Sequence, residues 1–269
     1  MPELRTRDMR VMVDDVRFFE EPMIYLVGQT KFNGNGFFLF MKDMDMEIKP
    51  GQMRGTDGEN VIEAGARACY LSYGVGRDSK EHIENIVESD HGSVTRHSVA
   101  NIMITGVSRG FTHELVRHAA GTAVSQSSSR YIPARKLGFV VPPEYRLRPL
   151  LRSDFIGHAV KSLELYETHC GALVGALESE HPDWSRFQRV KVARGAARCM
   201  LPINLNQVIQ FSMNAQAFRH VLRMRGGGAA EAEIREVACK LAPLGKELWP
   251  TLMQDVEVVD GEVLIGSKV

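Results

Sequence analysis

Residues 91–133 read HGSVTRHSVANIMITGVSRGFTHELVRHAAGTAVSQSSSRYIP, and this stretch carries most of the information about the fold. Its composition over 98–105 predicts a strand. The helical spacing of apolar residues from Val107 predicts a helix that ends at Gly121. Five hydrogen-bonding side chains at 125–129 then predict a polar loop. A strand, a helix and a polar loop in succession indicate a chain that contains both α and β structure.

The flanking sequence extends this pattern in both directions. Residues 10–56 predict strands and loops, and their Met- and Gly-rich part at 31–53 predicts an inserted loop or hairpin. Residues 137–152 predict a loop, and Pro243 is expected to kink or end the last helix. Further helices are predicted over 60–73, 80–88, 156–178, 184–201, 206–224 and 229–248. Strands early and helices late in the chain predict an α+β fold.

The composition limits the kinds of ligand that the chain attracts. The chain has 269 residues, with 33 Lys and Arg against 33 Asp and Glu, so its formal net charge is zero. A neutral chain has no overall field that draws it to nucleic acid or to an anionic membrane, and we expect neither as a partner. An anionic ligand must therefore be held by a local cluster of arginines or lysines.

Cysteine usage and hydropathy predict where the protein resides. The four cysteines form no CxxC pair, which argues against a disulfide framework and a zinc site and favours a reducing compartment. The N-terminal residues have no apolar core of the kind that secretory signals need. The longest uncharged run, 199–218, is rich in amides that are costly in lipid. We expect a soluble, cytoplasmic protein.

A group of ionisable side chains lies on the helix predicted from Val107. Glu114, Arg117 and His118 fall at positions i, i+3 and i+4 and so share one face. Such a face is often simply solvated. Here a hydroxyl-rich loop and Arg130 follow it, and two guanidinium groups beside such a loop can hold a phosphate or a carboxylate. A solvated face and an anion site both stay open.

The sequence argues against several common kinds of site. His113 and His118 resemble a zinc-protease pair, but their spacing of five residues places them about 140° apart around a helix. A straight helix cannot bring both to one ion, and we predict no metal site. There is no GxGxxG after a strand, no GxxxxGK[ST] and no GxSxG, so the Rossmann fingerprint, the P-loop and the nucleophile elbow are excluded.

Two further polar groups have both a structural and a functional interpretation. His91, Ser93 and His97 lie beside the predicted strand, where histidines are either structural hydrogen-bonding groups or ligands. Arg225 precedes three glycines, which either let a ligand approach the backbone or cap a helix. The predicted helix over 206–224 carries three amides at helical spacing, Asn206, Gln210 and Asn214. Buried amides are costly unless they bind a ligand or a protein partner.

Taken together, these motifs resemble those of a known enzyme family. The stretch quoted first is followed by LPINLNQVIQFSMNAQAFRHVLRMR at 201–225 and by EIRE at 233–236. From about residue 60 to 250 the order and spacing of these motifs resemble the flavin-dependent (alternative) thymidylate synthases. The resemblance implies a mixed sheet with packed helices, no Rossmann domain, and a homotetramer with active sites between subunits. It also implies one catalytic domain over 1–269, with an N-terminal elaboration at about 16–56.

The resemblance implies an activity and its cofactors. Enzymes of this family methylate C5 of dUMP to give dTMP. They take the carbon from methylenetetrahydrofolate and the hydride, through FAD, from NADPH. No protein nucleophile is needed, which agrees with our expectation that none of the four cysteines has a basic, exposed setting.

The resemblance also assigns roles to individual residues. Arg225 is the catalytic residue, because it matches an arginine that faces the uracil ring and stabilises negative charge at N3 or O2. The implied substrate contacts are Glu114, Arg117, Gln126, Ser128, Arg130, Arg198 and Arg225. The implied cofactor contacts are His91, Ser93, Arg117, His118, Gln126, Asn214, Gln216 and His220.

Three departures from the family pattern affect this assignment. Ala119 stands where the family usually has Arg, Gln216 where Arg is usual, and Glu114 where Gln is usual. The latter two substitutions each change the local charge by about one unit at positions that touch substrate or cofactor. Two alternatives therefore stay open: a C5-methylase of UMP, or of both UMP and dUMP, in nucleoside antibiotic biosynthesis, and a non-catalytic nucleotide-binding relative.

Overall fold

The structure is a computed structural model that describes residues 10–266. This part of the chain forms two compact units. Unit 1 comprises residues 10–23, 104–116 and 125–209, and unit 2 comprises residues 24–103, 117–124 and 210–266.

The strands form three sheets within the described residues, with the orders β1-β2-β6, β3-β4-β7-β5 and β8-β9. The first sheet is mixed, because β1 pairs with β2 in antiparallel and β6 pairs with β2 in parallel orientation. The predicted α+β fold with a mixed sheet is thus confirmed. The strands are β1 (Arg10–Val13), β2 (Val16–Phe19), β3 (Met23–Gln29), β4 (Val99–Ser108), β5 (Thr122–Gln126), β6 (Phe139–Val140), β7 (Asn206–Asn214), β8 (Val256–Val259) and β9 (Glu262–Ile265).

The helices are more numerous in the second half of the chain, as predicted. They are α1 (Gly34–Asp43), α2 (Asp57–Ala68), α3 (Ser79–Glu88), α4 (Arg109–Leu115), α5 (Ala134–Leu137), α6 (Pro143–Arg146), α7 (Pro149–Glu180), α8 (Arg186–Ala197), α9 (Ala215–Arg225) and α10 (Ala232–Leu248). Two short 3-10 helices, Gly92–His97 and Arg198–Met200, precede β4 and β7.

Unit 1 is built around the sheet β1-β2-β6 and the helix α7. Phe18 on β2 is in register with Phe139 on β6, and their rings stack with centroids 6.0 Å apart. Ile156, Ala159 and Leu163 lie at helical spacing on α7 and are buried in the same core. This core supports the segments of unit 1 that follow β5 and α8.

Unit 2 is held by the packing of α9 against α10 and against the indole of Trp249. Phe218 on α9 meets this indole edge-on, with ring centroids 5.4 Å apart. The buried indole Nε1 donates a hydrogen bond of 2.7 Å to Ser98 Oγ. Thr56 and Glu59 form a capping box that starts α2 in the same unit.

The predicted helix over 206–224 is wrong in its first half. Residues 206–214 form β7, and α9 begins only at Ala215. Ile209, Phe211 and Met213 are buried alternately along β7, which is the period of a strand. The amides at 206, 210 and 214 suggested a helix because their spacing of four also fits one.

The predicted helix from Val107 to Gly121 is also wrong in extent. It forms as α4, which ends at Leu115, so Arg117 and His118 do not share a helical face with Glu114. Gly121 has a φ of +73°, and its carbonyl accepts a hydrogen bond of 3.0 Å from the Asn214 backbone N–H. The chain therefore turns at Gly121 and enters β5, which also takes up the first two residues of the predicted loop 125–129.

Predictions for the N-terminal stretch and for the proline-containing segments were also wrong. Residues 34–43 form α1, whereas the Met-rich stretch was expected to be a loop or hairpin; Asn33 caps this helix. The predicted loop 137–152 contains β6 and α6 and the start of α7. Pro243 lies inside α10, which continues to Leu248. The predicted strand at 98–105 and the helices at 80–88 and 156–178 are confirmed.

A buried ion pair organises the chain between α2 and α3 in unit 2. The side chains of Arg67 and Glu63 are 1% and 0% exposed, and Arg67 Nε lies 2.7 Å from Glu63 Oε1. The terminal nitrogens of Arg67 donate to the carbonyl oxygens of Ser72 at 3.1 Å and of Arg77 at 2.7 Å. The guanidinium group thus fixes the loop that leads into α3.

Replacing Arg67 with methionine should strongly destabilise the protein. Arg67→Met leaves the buried Glu63 carboxylate without its cation, and breaking a buried pair costs about 3–5 kcal/mol. Denaturant unfolding measures the loss. The control is Lys80→Met at the exposed pair Lys80–Glu84, which should cost about 0.5 kcal/mol or less. Equal losses in the two variants would contradict the role of Arg67.

Candidate active site

Unit 1 contains a pocket with two arginines on its wall. Its volume is about 370 Å³, within the range of about 300–1,000 Å³ that is typical of small-ligand sites. Arg109, Arg198, Ser129 and Gln207 supply its polar side chains. The remaining lining residues are Gly195, Ala196, Cys199, Leu201, Pro202, Ile203 and Leu205.

The two arginines are exposed side chains on well-fixed backbone. Arg109 opens α4, and its backbone N–H donates to the Leu205 carbonyl at 3.0 Å. Arg198 opens the 3-10 helix that follows α8. Neither guanidinium group forms an ion pair or a side-chain hydrogen bond with another residue of the described chain. Two such groups on one pocket are suited to an oxyanion such as phosphate.

The loop after β5 is held against α8 and β7 in unit 1. The Arg194 Nη1 atom donates to the Tyr131 carbonyl at 2.7 Å, and the Tyr131 ring stacks on Phe187. Arg130 packs beside Gly195, where a Cβ would lie 3.5 Å from Arg130 Nε. Gln126 donates from Nε2 to Thr112 Oγ1 at 2.8 Å and to Gln207 Oε1 at 3.0 Å.

In unit 2, Arg225 is joined to His118 at the end of α9. Arg225 Nε donates to His118 Nε2 at 2.9 Å, so that nitrogen of His118 is the acceptor and carries no proton. The imidazoles of His118 and His220 meet edge to face, with centroids 5.4 Å apart. Burial lowers the pKa of His220, and the charges of Arg223 and Arg225 lower it further. The cluster thus combines guanidinium groups with a neutral imidazole.

Two amides mark the other end of α9. Asn214 is its N-cap, with Oδ1 accepting from the Ala217 backbone N–H at 2.8 Å. Gln216 Oε1 accepts a hydrogen bond of 2.6 Å from Arg96 Nε. A guanidinium group therefore lies beside Gln216, the position where the resemblance led us to expect an arginine.

A second cavity in unit 2 lies beside His91 and Ser93. Its volume is about 450 Å³, and His82, Arg77 and Tyr70 also line it. His82 Nε2 is buried without a hydrogen-bond partner in the described chain. Burial lowers the pKa of His82, the charge of Arg67 lowers it further, and the Glu63 carboxylate partly opposes this shift.

The sequence-predicted residues divide between the two units. Unit 1 contains Glu114, Gln126, Ser128, Arg130 and Arg198, and unit 2 contains His91, Ser93, Arg117, His118, Asn214, Gln216, His220 and Arg225. The sequence did not reveal the partners that position them, namely Arg96, Thr112 and Gln207, because each contact joins residues on different secondary-structure elements.

One expectation about the cysteines is wrong. Cys199 is exposed and lines the same pocket as Arg109 and Arg198, so it does have a basic, exposed setting. Burial raises the pKa of the Cys170 and Cys239 thiols instead. Cys199 must therefore be tested as a nucleophile.

Within residues 10–266, no group of three or more His, Cys, Asp or Glu side chains is placed to hold a metal ion. No helix in the same range is both long and apolar enough to cross a membrane.

The pKa of His82 predicts a loss of stability in acid. Because the folded state lowers this pKa below the ordinary value of about 6.5, the unfolded chain binds the proton first as pH falls from 7 to 5, and the free energy of unfolding decreases. In His82→Gln this decrease should be smaller, whereas the exposed control His158→Gln on α7 should match the wild type. Urea unfolding at a series of pH values measures it; parallel curves for His82→Gln and wild type would refute the assignment.

Comparison with known proteins places this chain in a family. The sequence model described as "Thymidylate synthase complementing protein" (Thy1) matches residues 53–251. The flavin-dependent thymidylate synthase of Corynebacterium diphtheriae is 32% identical over 219 residues, which cover 79% of this chain and 85% of that protein. The corresponding protein of Mycobacterium avium is 33% identical over 214 residues, which cover 78% and 84%.

Solved structures show the same fold. The UMP/dUMP methylase PolB from Streptomyces cacaoi bound with 5-Br UMP has a TM-score of 0.59 at 17% identity, covering 89% of this chain and 95% of that chain. The same methylase bound with 5-Br dUMP has a TM-score of 0.60 at 18% identity, covering 88% and 95%. With the sequence match, this establishes that the chain belongs to the thymidylate synthase complementing protein family.

Proposed function

We propose that this chain is a flavin-dependent methyltransferase that methylates C5 of a uridine 5′-monophosphate, converting dUMP to dTMP. The observation that carries this proposal is the pocket of unit 1, where Arg109 and Arg198 are without ionic partners in the described chain. In a member of this family, two such guanidinium groups are suited to the phosphate of the nucleotide. Under the proposal, the whole chain acts as one catalytic domain in a homotetramer.

The residues of unit 2 fit FAD by the chemistry of their donors. Arg225 and Arg96 supply guanidinium N–H groups, and Gln216, His118 and His220 add an amide and two aromatic rings. Guanidinium and amide donors suit the carbonyl and phosphate oxygens of a flavin nucleotide, and ring faces suit its planar system. When bound, FAD supplies the hydride, for which we propose NADPH as the source and methylenetetrahydrofolate as the donor of the carbon.

Arg225 is the residue that we assign to catalysis. Its Nε bond to His118 orients the plane of the guanidinium group. A pre-oriented cation can stabilise negative charge at N3 or O2 of the uracil, which makes C5 more nucleophilic without a covalent bond to the protein. Cys199 offers the alternative of a thiolate that adds to the pyrimidine, since it lines the basic pocket of unit 1.

Release of tritium from C5 tests the function directly. The purified protein is loaded with FAD and given [5-³H]dUMP or [5-³H]UMP with methylenetetrahydrofolate and NADPH. We expect release with the wild type, a loss of about 10²-fold or more in Arg225→Ala, the size of effect seen when a charge-stabilising donor is removed, and unchanged release in Cys199→Ser. Thermal unfolding confirms that each variant is folded.

Each outcome of this assay separates one alternative from the others. A colourless protein that cannot be loaded with FAD and releases no tritium is the non-catalytic nucleotide-binding relative. Loss of activity in Cys199→Ser indicates a covalent thiolate mechanism. The ratio of the two release rates identifies dUMP or UMP as the preferred substrate.

Arg96 provides a second test, because its guanidinium group lies beside Gln216, which stands where the family usually has an arginine. Arg96→Met should weaken the binding of FAD about tenfold, which corresponds to about 1.4 kcal/mol and is modest for a charge-assisted hydrogen bond. Titration of the apoprotein with FAD, followed by flavin fluorescence, measures the affinity. Lys246→Met on α10 is the matched control, with an exposed cation in the same unit. Equal affinities in both variants would remove Arg96 from the cofactor site.

A further inference from the structure

Gln126 belongs to a chain of hydrogen bonds in unit 1 whose direction is fixed at its first end by a backbone carbonyl. Thr112 Oγ1 lies 3.1 Å from the Arg109 carbonyl oxygen, to which its hydroxyl donates. A hydroxyl has a single proton, so the same oxygen must accept from Gln126 at 2.8 Å. The atom of Gln126 that faces Thr112 is therefore the amide nitrogen Nε2.

The second end of the chain is fixed in the same way. Gln207 Nε2 donates to the carbonyl oxygens of Asn206 at 2.8 Å and of Leu205 at 3.3 Å. Carbonyl oxygens only accept hydrogen bonds. If the amide of Gln207 were flipped, its Oε1 would face these two carbonyl oxygens with no proton between them, so this orientation is fixed. Its Oε1 then accepts hydrogen bonds from Nε2 of Gln126 at 3.0 Å and from Oγ of Ser127 at 3.2 Å.

Gln207 is committed to this role by its burial. It is 1% exposed, and both protons of its amide nitrogen are used by backbone carbonyls. It lines the pocket of Arg109 and Arg198, but it has no proton left to give to a ligand. Any effect on a ligand must therefore pass through the side chains that it holds.

The consequence for Gln126 is a fixed polarity. Both protons of its amide nitrogen are engaged, by Thr112 and by Gln207, and its Oε1 accepts no hydrogen bond from the described residues. The half-buried amide thus offers a ligand an acceptor and not a donor. A uridine monophosphate carries few donors, namely the imide N–H and the ribose hydroxyls, whereas its phosphate and carbonyl oxygens are acceptors.

We propose that Gln207 is a positioning residue that fixes Gln126 with its carbonyl oxygen available to the nucleotide, so that Gln126 selects a hydrogen-bond donor of the substrate. This inference rests on the proposed function, because it assumes a uridine monophosphate as the ligand of unit 1. Gln207 itself has no amide proton for the nucleotide, and its effect on specificity passes through Gln126.

The test compares nucleotides that differ in one donor. The FAD-loaded protein is titrated calorimetrically with dUMP and with two analogues, 3-methyl-dUMP, which lacks the imide N–H, and 2′,3′-dideoxy-UMP, which lacks the 3′-hydroxyl. UMP, which adds a 2′-hydroxyl, completes the set. In the wild type, removal of the donor that Gln126 recognises should weaken binding about tenfold, because the acceptor is left unpaired.

In Gln207→Met the difference in affinity between dUMP and the analogue that lacks the recognised donor should largely disappear. Methionine keeps the size of the side chain but accepts no comparable hydrogen bond, and the Thr112 hydroxyl can turn to donate to Oε1 of Gln126, so the Gln126 amide can rotate and the ratio of affinities should fall to within about twofold. Gln207→Leu, which also accepts no hydrogen bond, serves if Gln207→Met does not fold, whereas Thr112→Val leaves Gln207 Oε1 in place and should keep the ratio. Gln126→Met sets the ratio expected without any amide.

The outcomes distinguish this inference from the proposed function. A wild type that binds neither dUMP nor UMP refutes the function and the inference with it. A wild type that binds dUMP but binds each analogue equally well refutes the inference alone. So does a full difference between dUMP and its analogues that persists in folded Gln207→Met or Gln207→Leu. A merely structural role of Gln207 would lower all affinities together and leave their ratios unchanged.

Discussion

The framework around the pocket of unit 1 depends on one buried amide, that of Asn206. This residue is 2% exposed, and each polar atom of its side chain has a backbone partner. Oδ1 accepts from the Gly106 N–H at 2.9 Å, and Nδ2 donates to the Leu137 carbonyl at 3.0 Å. An unsatisfied buried amide would cost about 1–3 kcal/mol. Satisfied in this way, Asn206 cross-links β7 with β4 and with the segment that leads into β6.

The neighbour of Asn206 transfers this rigidity to the candidate site. Successive side chains of a strand point to opposite faces, so Asn206 bonds into the framework while Gln207 reaches the pocket and the loop after β5. Groups held by regular structure are placed more accurately than groups on loops. The start of β7 therefore serves both the stability of unit 1 and the geometry of its pocket.

Local patterns predicted the parts of the fold whose signals agree. The strand β4 and the helix α3 are confirmed close to their predicted ends, and the helix predicted over 156–178 forms the larger part of α7, which begins earlier, at Pro149. The region 206–224 failed because two periods compete there, amides spaced by four and buried apolar residues spaced by two. Only pairing with distant strands decides between them, and such pairing is not visible in a local window.

The same limit applies to the site. The motifs named His118, His220 and Arg225 of unit 2, but Arg198 is the one substrate contact that they named among the described residues lining the pocket of unit 1. They could not name their partners, because Arg96 and Gln216 are 120 residues apart, and Gln126 and Gln207 are 81 apart. Such partners orient the side chains that the motifs name, or supply a charge that the motif lacks. Arg96, for example, places a guanidinium group beside Gln216.

The neutral charge of the chain is compatible with an anionic ligand, because the acids and bases are not distributed alike. Several carboxylates are engaged in structural pairs, such as Glu63 with Arg67 and Asp255 with Arg219. Arg109 and Arg198, in contrast, have no ionic partner in the described chain, and no carboxylate is among the described residues that line their pocket. The attraction for an anion depends on this local imbalance of charge. A net charge of zero therefore argues against a polyanionic partner, but it is compatible with the binding of a single phosphate group in this pocket.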